Sequence, residues 1–181
     1  MSKNALILVD IQNDYFETGK WPVEGMAQAS DNAALVLAQA RSAGDMIVHI
    51  RHEIPQNGAP FFAPGSEGAA IHPSVAPMGD EPVLLKHFPN SFRDTDLLER
   101  LRAGGIDSVV IIGAMSQMCI QATSRAAFDF GFAVTVVHDA CAARAVEFDG
   151  QVVPASQVHA AMMGALAGSY AQMVPTEVYC A

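Results

Sequence analysis

Three side chains in this sequence, Asp10, Lys86 and Cys119, are of types that together could break a carbonyl bond. Cys119 lies just beyond the strand-like run Ser108-Val109-Val110-Ile111-Ile112, in the connection Gly113-Ala114-Met115-Ser116-Gln117-Met118-Cys119. Ser116 reads as a helix N-cap, which puts Cys119 at the third helical position. Backbone N–H groups there lack intrahelical partners, and the helix dipole favours an anion. Both effects predict a thiolate, the form of cysteine that attacks carbonyls. Asp10 ends the apolar run Ala5-Leu6-Ile7-Leu8-Val9. A carboxylate there could accept the thiol proton and later deliver it to a leaving group. Lys86 ends the run Pro82-Val83-Leu84-Leu85, where its ammonium could stabilise a thiolate and hold Asp10 ionised.

Each residue also has an ordinary reading. Asp favours turns and can cap one. A lysine at a strand end can lay its stem on apolar surface with its head in water. A free cysteine is commonly a small buried hydrophobe. Cys141, in apolar surroundings past a strand end, reads as structural, and Cys180 as an inert tail residue. His49, His52 and His72 lack the spacing of a zinc site, which needs three or four converging ligands. His49 and His52 also point to opposite faces of an extended strand. No metal is therefore expected. No glycine-rich phosphate loop is present, so no cofactor is expected either. Phe16, Trp21, Phe61, Phe62, Phe88 and Phe92 flank strand ends or lie in a long loop, where they could wall an apolar pocket or simply pack the loop. Phe16, Phe88, Phe92 and Gln117 are the candidate substrate-pocket residues.

The elements must bring these groups together. Residues 5–9 read as a strand buried on both faces. A helix over 27–43 stops at Gly44. Strands follow over 46–50 and 82–86, separated by a loop over 53–80 rich in Pro and Gly, long enough to be a functional cover. Thr95 caps a short helix, 96–102. Further strands cover 108–112, 132–138 and 173–178, with helices over 117–130 and 155–172. Strands alternating with helices predict a three-layer α/β/α fold of Rossmann-like type, its central, mainly parallel sheet having about six strands. In such sheets ligands bind beyond the carboxyl ends of the strands. Asp10, Arg51, His52, Lys86, Gly113–Cys119 and Asp139 all fall at those ends.

Composition sets the bounds. The 181 residues suffice for one domain with one sizeable core, taken as residues 1–181. A hydrophobic fraction of 51% against 16% charged residues argues against disorder. A net charge of −9 disfavours nucleic acid and anionic membrane surfaces as partners and leaves a small molecule. Three widely spaced cysteines fit reduced thiols in the cytoplasm. The N-terminal apolar run is too short for a signal peptide, and no run approaches a membrane span.

The stretches Ala5–Asp14, Leu85–Phe92, Gly113–Ile120 and Ala122–Ala126, with Gly131 and Asp139-Ala140, together resemble the isochorismatase-like cysteine hydrolases, which include nicotinamidases and related amidohydrolases. The resemblance runs through nearly the whole chain in the right order. It implies a catalytic triad of Asp10, Lys86 and Cys119. It implies a non-proline cis peptide at Ala114–Met115, and an oxyanion hole formed by the N–H groups of Met115 and Cys119. It also implies a homodimer or homotetramer. Zinc-using nicotinamidases carry Asp-x-His after their second strand, where this sequence has Arg51-His52-Glu53. The expected activity is hydrolysis of a small non-peptide amide through a thioester. Vinyl-ether hydrolysis, or a binding module without catalysis, are the alternatives.

Overall fold

The computed structural model describes residues 3–181. Its first strand, β1 (Asn4–Val9), is covered on both sides. Ala5, Ile7 and Val9 point into one apolar cluster, and Leu6 and Leu8 into a second. This is the physical content of the unbroken apolar run: neither face meets water. Helix α1 (Met26–Ala43) lays Ala29, Ala33, Val36, Leu37 and Ala40 on the Leu6/Leu8 face. It ends at Gly44, whose left-handed backbone (φ 73°) lets its N–H reach the carbonyls of Ala40 and Arg41. Helices α2 (Leu97–Ala103), α3 (Gln121–Asp129) and α4 (Ala155–Ala167) cover the other face with Leu97, Leu101, Ala127, Met163 and Leu166.

The remaining strands are β2 (Met46–His52), β3 (Val83–Lys86), β4 (Ser108–Ala114), β5 (Ala133–Ala142), β6 (Val146–Phe148), β7 (Gln151–Val153) and β8 (Gln172–Val174). Five of them join β1 in one six-stranded parallel sheet, in the order β3-β2-β1-β4-β5-β8. The expected three-layer α/β/α architecture is therefore observed. The chain winds outward from β1 in one direction and then, from β4, in the other. That reversal opens a crevice at the carboxyl ends of β1 and β4, the usual ligand position in such sheets. No described helix is long and apolar enough to cross a membrane.

Several boundaries differ from the sequence expectation. β5 runs to Ala142, so Cys141 lies inside a strand, where its thiol faces the Val137 carbonyl at 3.5 Å. The β4–β5 register jumps from Ile111–Val136 to Gly113–Cys141, a bulge whose extra residues hide the strand from a period-2 reading. Helix α4 stops at Ala167 instead of reaching 172, and the expected last strand divides between β8 and a short helix α5 (Thr176–Tyr179) that takes its second half. The antiparallel hairpin β6–β7 was not expected at all. Its signal was the turn Asp149-Gly150, both left-handed (φ 51° and 73°), as a two-residue hairpin requires. The flanking Val146, Phe148 and Val152 are exposed, so no buried face marks the hairpin.

One glycine fixes how closely β1 and β4 approach. Gly113 has φ +124°, and a Cβ there would overlap the Val9 carbonyl oxygen. Gly164, inside α4, has open space instead. Gly113→Ala should lower unfolding free energy by about 2–4 kcal/mol, whereas Gly164→Ala should be neutral or stabilising by up to about 1 kcal/mol. Urea titration of both variants measures this; similar stabilities would refute the close approach.

Candidate functional site

Parallel pairing delivers the predicted residues to one place. Val9 lies opposite Ile50 on one side and Gly113 on the other, while His52 lies opposite Lys86. Asp10 leaves β1 with a left-handed backbone (φ 53°), its N–H bonded to the Ile50 carbonyl at 3.1 Å. Few residues other than Gly tolerate that conformation, Asp among them. The Lys86 Nζ donates to Asp10 Oδ2 at 2.7 Å, to Cys119 Sγ at 3.3 Å and to His52 Nδ1 at 2.8 Å. An ammonium has three N–H donors, and here it has three acceptors. Asp10, Lys86 and Cys119 are 0%, 1% and 4% exposed.

Burial alone would push the Lys86 ammonium toward neutrality. The Asp10 carboxylate, through its charge and its hydrogen bond, outweighs it with help from the hydrogen bond to Cys119, and the ammonium is held above its ordinary range. Cys119 goes the other way. Burial first, then the Asp10 carboxylate, hold its thiol far above the usual cysteine value against the pull of Lys86. The expected resting thiolate is thus corrected. One cation already faces one carboxylate, and a thiolate would leave an uncompensated negative charge out of water. His52 is pushed down to about 4, mainly by burial and then by the Lys86 charge. Since its Nδ1 accepts from Lys86, the ring proton sits on Nε2.

Local structure around the thiol also differs from expectation. Residues Ser116–Ile120 form a π-helical turn, and the residue entering it is Met115, not Ser116. The Met115 carbonyl accepts from Met118 N–H (3.0 Å) and Ile120 N–H (3.2 Å), the amides on either side of that of Cys119. Ser116 does not cap. Its hydroxyl donates to the Ala142 carbonyl at 3.1 Å and pairs with His159 Nδ1 at 2.9 Å, tying the turn to β5 and α4. The Ala114–Met115 peptide is cis.

The segment leaving β1 fastens the long loop over the site. The Gln12 amide donates to the carbonyls of His52 (2.9 Å) and Ala69 (2.8 Å) and accepts the His52 N–H at 2.8 Å. Asp14 accepts the Phe62 N–H at 2.7 Å. Phe62, buried, packs on Tyr15 (4.6 Å between ring centres) and approaches His52 (6.1 Å). The named pocket residues separate. Phe16 stacks on His72 at 3.6 Å and lines a groove of about 490 Å³ that contains none of Asp10, Lys86 or Cys119. Phe88 lies under the Arg93 guanidinium at 3.5 Å. Phe92 is buried against Phe130 and Phe132, in the apolar cluster that includes Cys119. Gln117 bonds the Arg144 carbonyl at 3.3 Å, and its side-chain oxygen is buried without a partner. Sequence reasoning missed Tyr15 and the role of His52. Tyr15 was hidden among aromatics, and only the register His52–Lys86 reveals the other.

The zinc that some relatives of this fold use does not suit these residues. Among the described residues, Asp10, His52 and Cys119 bring ligand atoms within 4.8 Å of one another, but the Lys86 ammonium stands in contact with all three. A second cation there would meet direct repulsion. His72 is engaged with Ser74 (2.8 Å) and Phe16.

His52 gives a test of this electrostatic arrangement. The unfolded chain protonates it near 6.5 and the folded chain near 4. Between those values the unfolded state binds more protons, so stability must fall as pH drops through the window. The wild type should lose about 2–3 kcal/mol more than His52→Gln between pH 6.5 and 4, measured by urea unfolding at each pH. Parallel curves would show that His52 is not held neutral.

The sequence matches the isochorismatase domain over residues 4–174. It is 44% identical over 175 residues to the uncharacterized isochorismatase family protein YddQ of Bacillus subtilis (strain 168), covering 97% of each chain. It is 34% identical over 152 residues to a maleamate amidohydrolase of Pseudomonas putida, covering 76% of this chain and 71% of that one. The crystal structure of an isochorismatase-type hydrolase from Oleispira antarctica superimposes with a TM-score of 0.94 at 49% identity, covering 98% of this chain and 96% of that one. With strand order, crevice and sequence in agreement, the chain belongs to the isochorismatase family of hydrolases.

Proposed function

We propose that this hydrolase cleaves a small non-peptide amide through a thioester on Cys119, with Asp10 carrying the proton and Lys86 balancing charge. The observation that carries this reading is the convergence of Asp10, His52 and Cys119 on one buried ammonium. Asp10 uses Oδ2 for Lys86, while Oδ1 is buried without a partner and free to accept a proton. Because the resting thiol is neutral, its proton passes to Asp10 as sulfur attacks the carbonyl carbon. Negative charge then moves from Asp10 to the substrate oxygen, which the N–H groups of Met115 and Cys119 hold. Asp10 returns the proton to the departing nitrogen and the C–N bond breaks. Water, deprotonated by Asp10, attacks the thioester and releases the acid and the thiol. At every stage one anion faces the Lys86 cation, so the buried site never holds an excess charge.

Similarity to a maleamate amidohydrolase supports the amide class over ether cleavage. A homodimer or homotetramer in the cytoplasm, acting on a small molecule, belongs to the same proposal and rests on the family resemblance. Cys119→Ala should stay folded and lose turnover by on the order of 10⁴-fold or more, because the attacking atom is gone. An amide-library screen reading released ammonia or amine checks this. Comparable turnover by the variant would reject covalent catalysis. A carbonyl product without amine would move the reaction to ether hydrolysis.

A further inference from the structure

The entry to the nucleophile turn has no capping side chain of its own. Strand β4 ends at Ala114, whose partner across the ladder is Ala142. Two residues on, Ser116 returns to the same partner, its hydroxyl donating to the Ala142 carbonyl at 3.1 Å. Met115 is therefore bracketed by two attachments to one residue of β5. Ser116 is fully buried, and its oxygen has one further neighbour, His159 Nδ1 at 2.9 Å. A hydroxyl has a single proton, and here the Ala142 carbonyl takes it. His159 must then be the donor, with its ring proton on Nδ1.

His159 comes from α4, the helix that also buries Val158, Met163 and Leu166. Burial, and then the charge of His138, hold its ring below the ordinary imidazole range, so it is neutral near pH 7. The same helix holds the far end of the turn, where the Gln121 amide donates to the Met162 carbonyl at 2.5 Å. Helix α4 thus grips both ends of the segment that carries Cys119. The Lys86 ammonium, by contrast, bonds Asp10, His52 and Cys119, and neither Ser116 nor His159. Packing alone would be served by an apolar residue at position 116. A buried hydroxyl with donor and acceptor both satisfied fixes a direction as well.

Resting on the reading of Met115 and Cys119 as oxyanion donors, we propose that Ser116 and His159 are positioning residues for the hydrolysis. His159 holds the Ser116 hydroxyl on Ala142, and the hydroxyl sets the Met115 N–H where the substrate oxygen becomes negative. An oxyanion donor acts only when aimed at that oxygen, and losing one costs about 10²–10³-fold in kcat. Ser116→Ala removes the hydroxyl. His159→Phe keeps a ring and removes the donor. Each should lower kcat by about 10- to 100-fold while KM stays within about twofold, because the bond concerned strengthens only in the transition state. His159→Asn returns an N–H near the place of Nδ1 and should recover most of the loss.

Two measurements at Cys119 do not depend on turnover. Propanal adds reversibly to a thiol: sulfur bonds the carbonyl carbon, the C=O π bond opens, and the thiol proton passes through Asp10 to the oxygen. That oxygen takes the place of the substrate oxygen beside the two N–H groups. Its binding is read by peptide mapping, as protection of Cys119 from iodoacetamide. Alkylation itself displaces iodide from carbon, builds no charge on a carbonyl oxygen and needs neither N–H. Ser116→Ala and His159→Phe should weaken propanal binding about tenfold and leave the alkylation rate without propanal within about twofold. Should Ser116→Ala unfold, seen as Cys119 reacting as fast as Cys180, the two His159 variants decide. Unchanged kcat and propanal binding overturn the positioning role and leave amide hydrolysis standing. So does an alkylation rate that falls as far as kcat, since the pair would then act on the thiol. Propanal binding that depends on the pair, with no amide cleaved by the wild type, supports the positioning role and removes the amide reading. A wild type that neither cleaves an amide nor binds propanal removes both.

Discussion

Everything at this site depends on a lysine ammonium and an aspartate carboxylate being held together out of water. Removing two charges from solvent costs several kcal/mol per ion, and the loss is offset only when geometry is good and the remaining donors are satisfied. The Lys86–Asp10 contact of 2.7 Å meets the first condition, and the second and third acceptors, His52 and Cys119, meet the other. Such pairs are weak evidence of stabilisation, since apolar residues of similar volume commonly serve a core as well. Their presence at the crevice between β1 and β4 is better explained by chemistry than by folding.

That pair also decides the state of the thiol. A cysteine beside a lysine would ordinarily be read as activated. Here the lysine is already matched by a carboxylate, so the buried thiol stays protonated. In the proposed mechanism Asp10, within hydrogen-bonding range of the same ammonium, takes up the role of base at the moment of attack. The neutral His52 completes the arrangement by accepting a hydrogen bond without adding charge.

A single segment links chemistry to access. Asp10 supplies the carboxylate, Gln12 fastens His52 and the loop carbonyl of Ala69, and Asp14 fastens Phe62. Tyr15 and Phe62 then pack beside the site. The left-handed turn at Asp10 lets consecutive side chains of this segment serve different ends, one inward to the ammonium and others outward to the cover.

The fold class and the three residues that meet at the crevice were legible because they depend on local patterns. Strands buried on both faces, such as β1 and β4, must be uniformly apolar, so their ends are visible, and what stands at those ends is Asp10 and the turn before Cys119. The stop of α1 at Gly44 is equally local. The π-helical turn, the bulge that lengthens β5 and the exposed hairpin escaped because none leaves a regular apolar period. The partners of His52, the division of Phe16, Phe88 and Phe92 among separate contacts, and the protonation of Cys119 were decided only by tertiary structure. A side chain's type says what it can ionise to. Which form it holds depends on how much water is excluded and which charges other strands bring within a few ångströms, and that information is not carried by its neighbours in sequence.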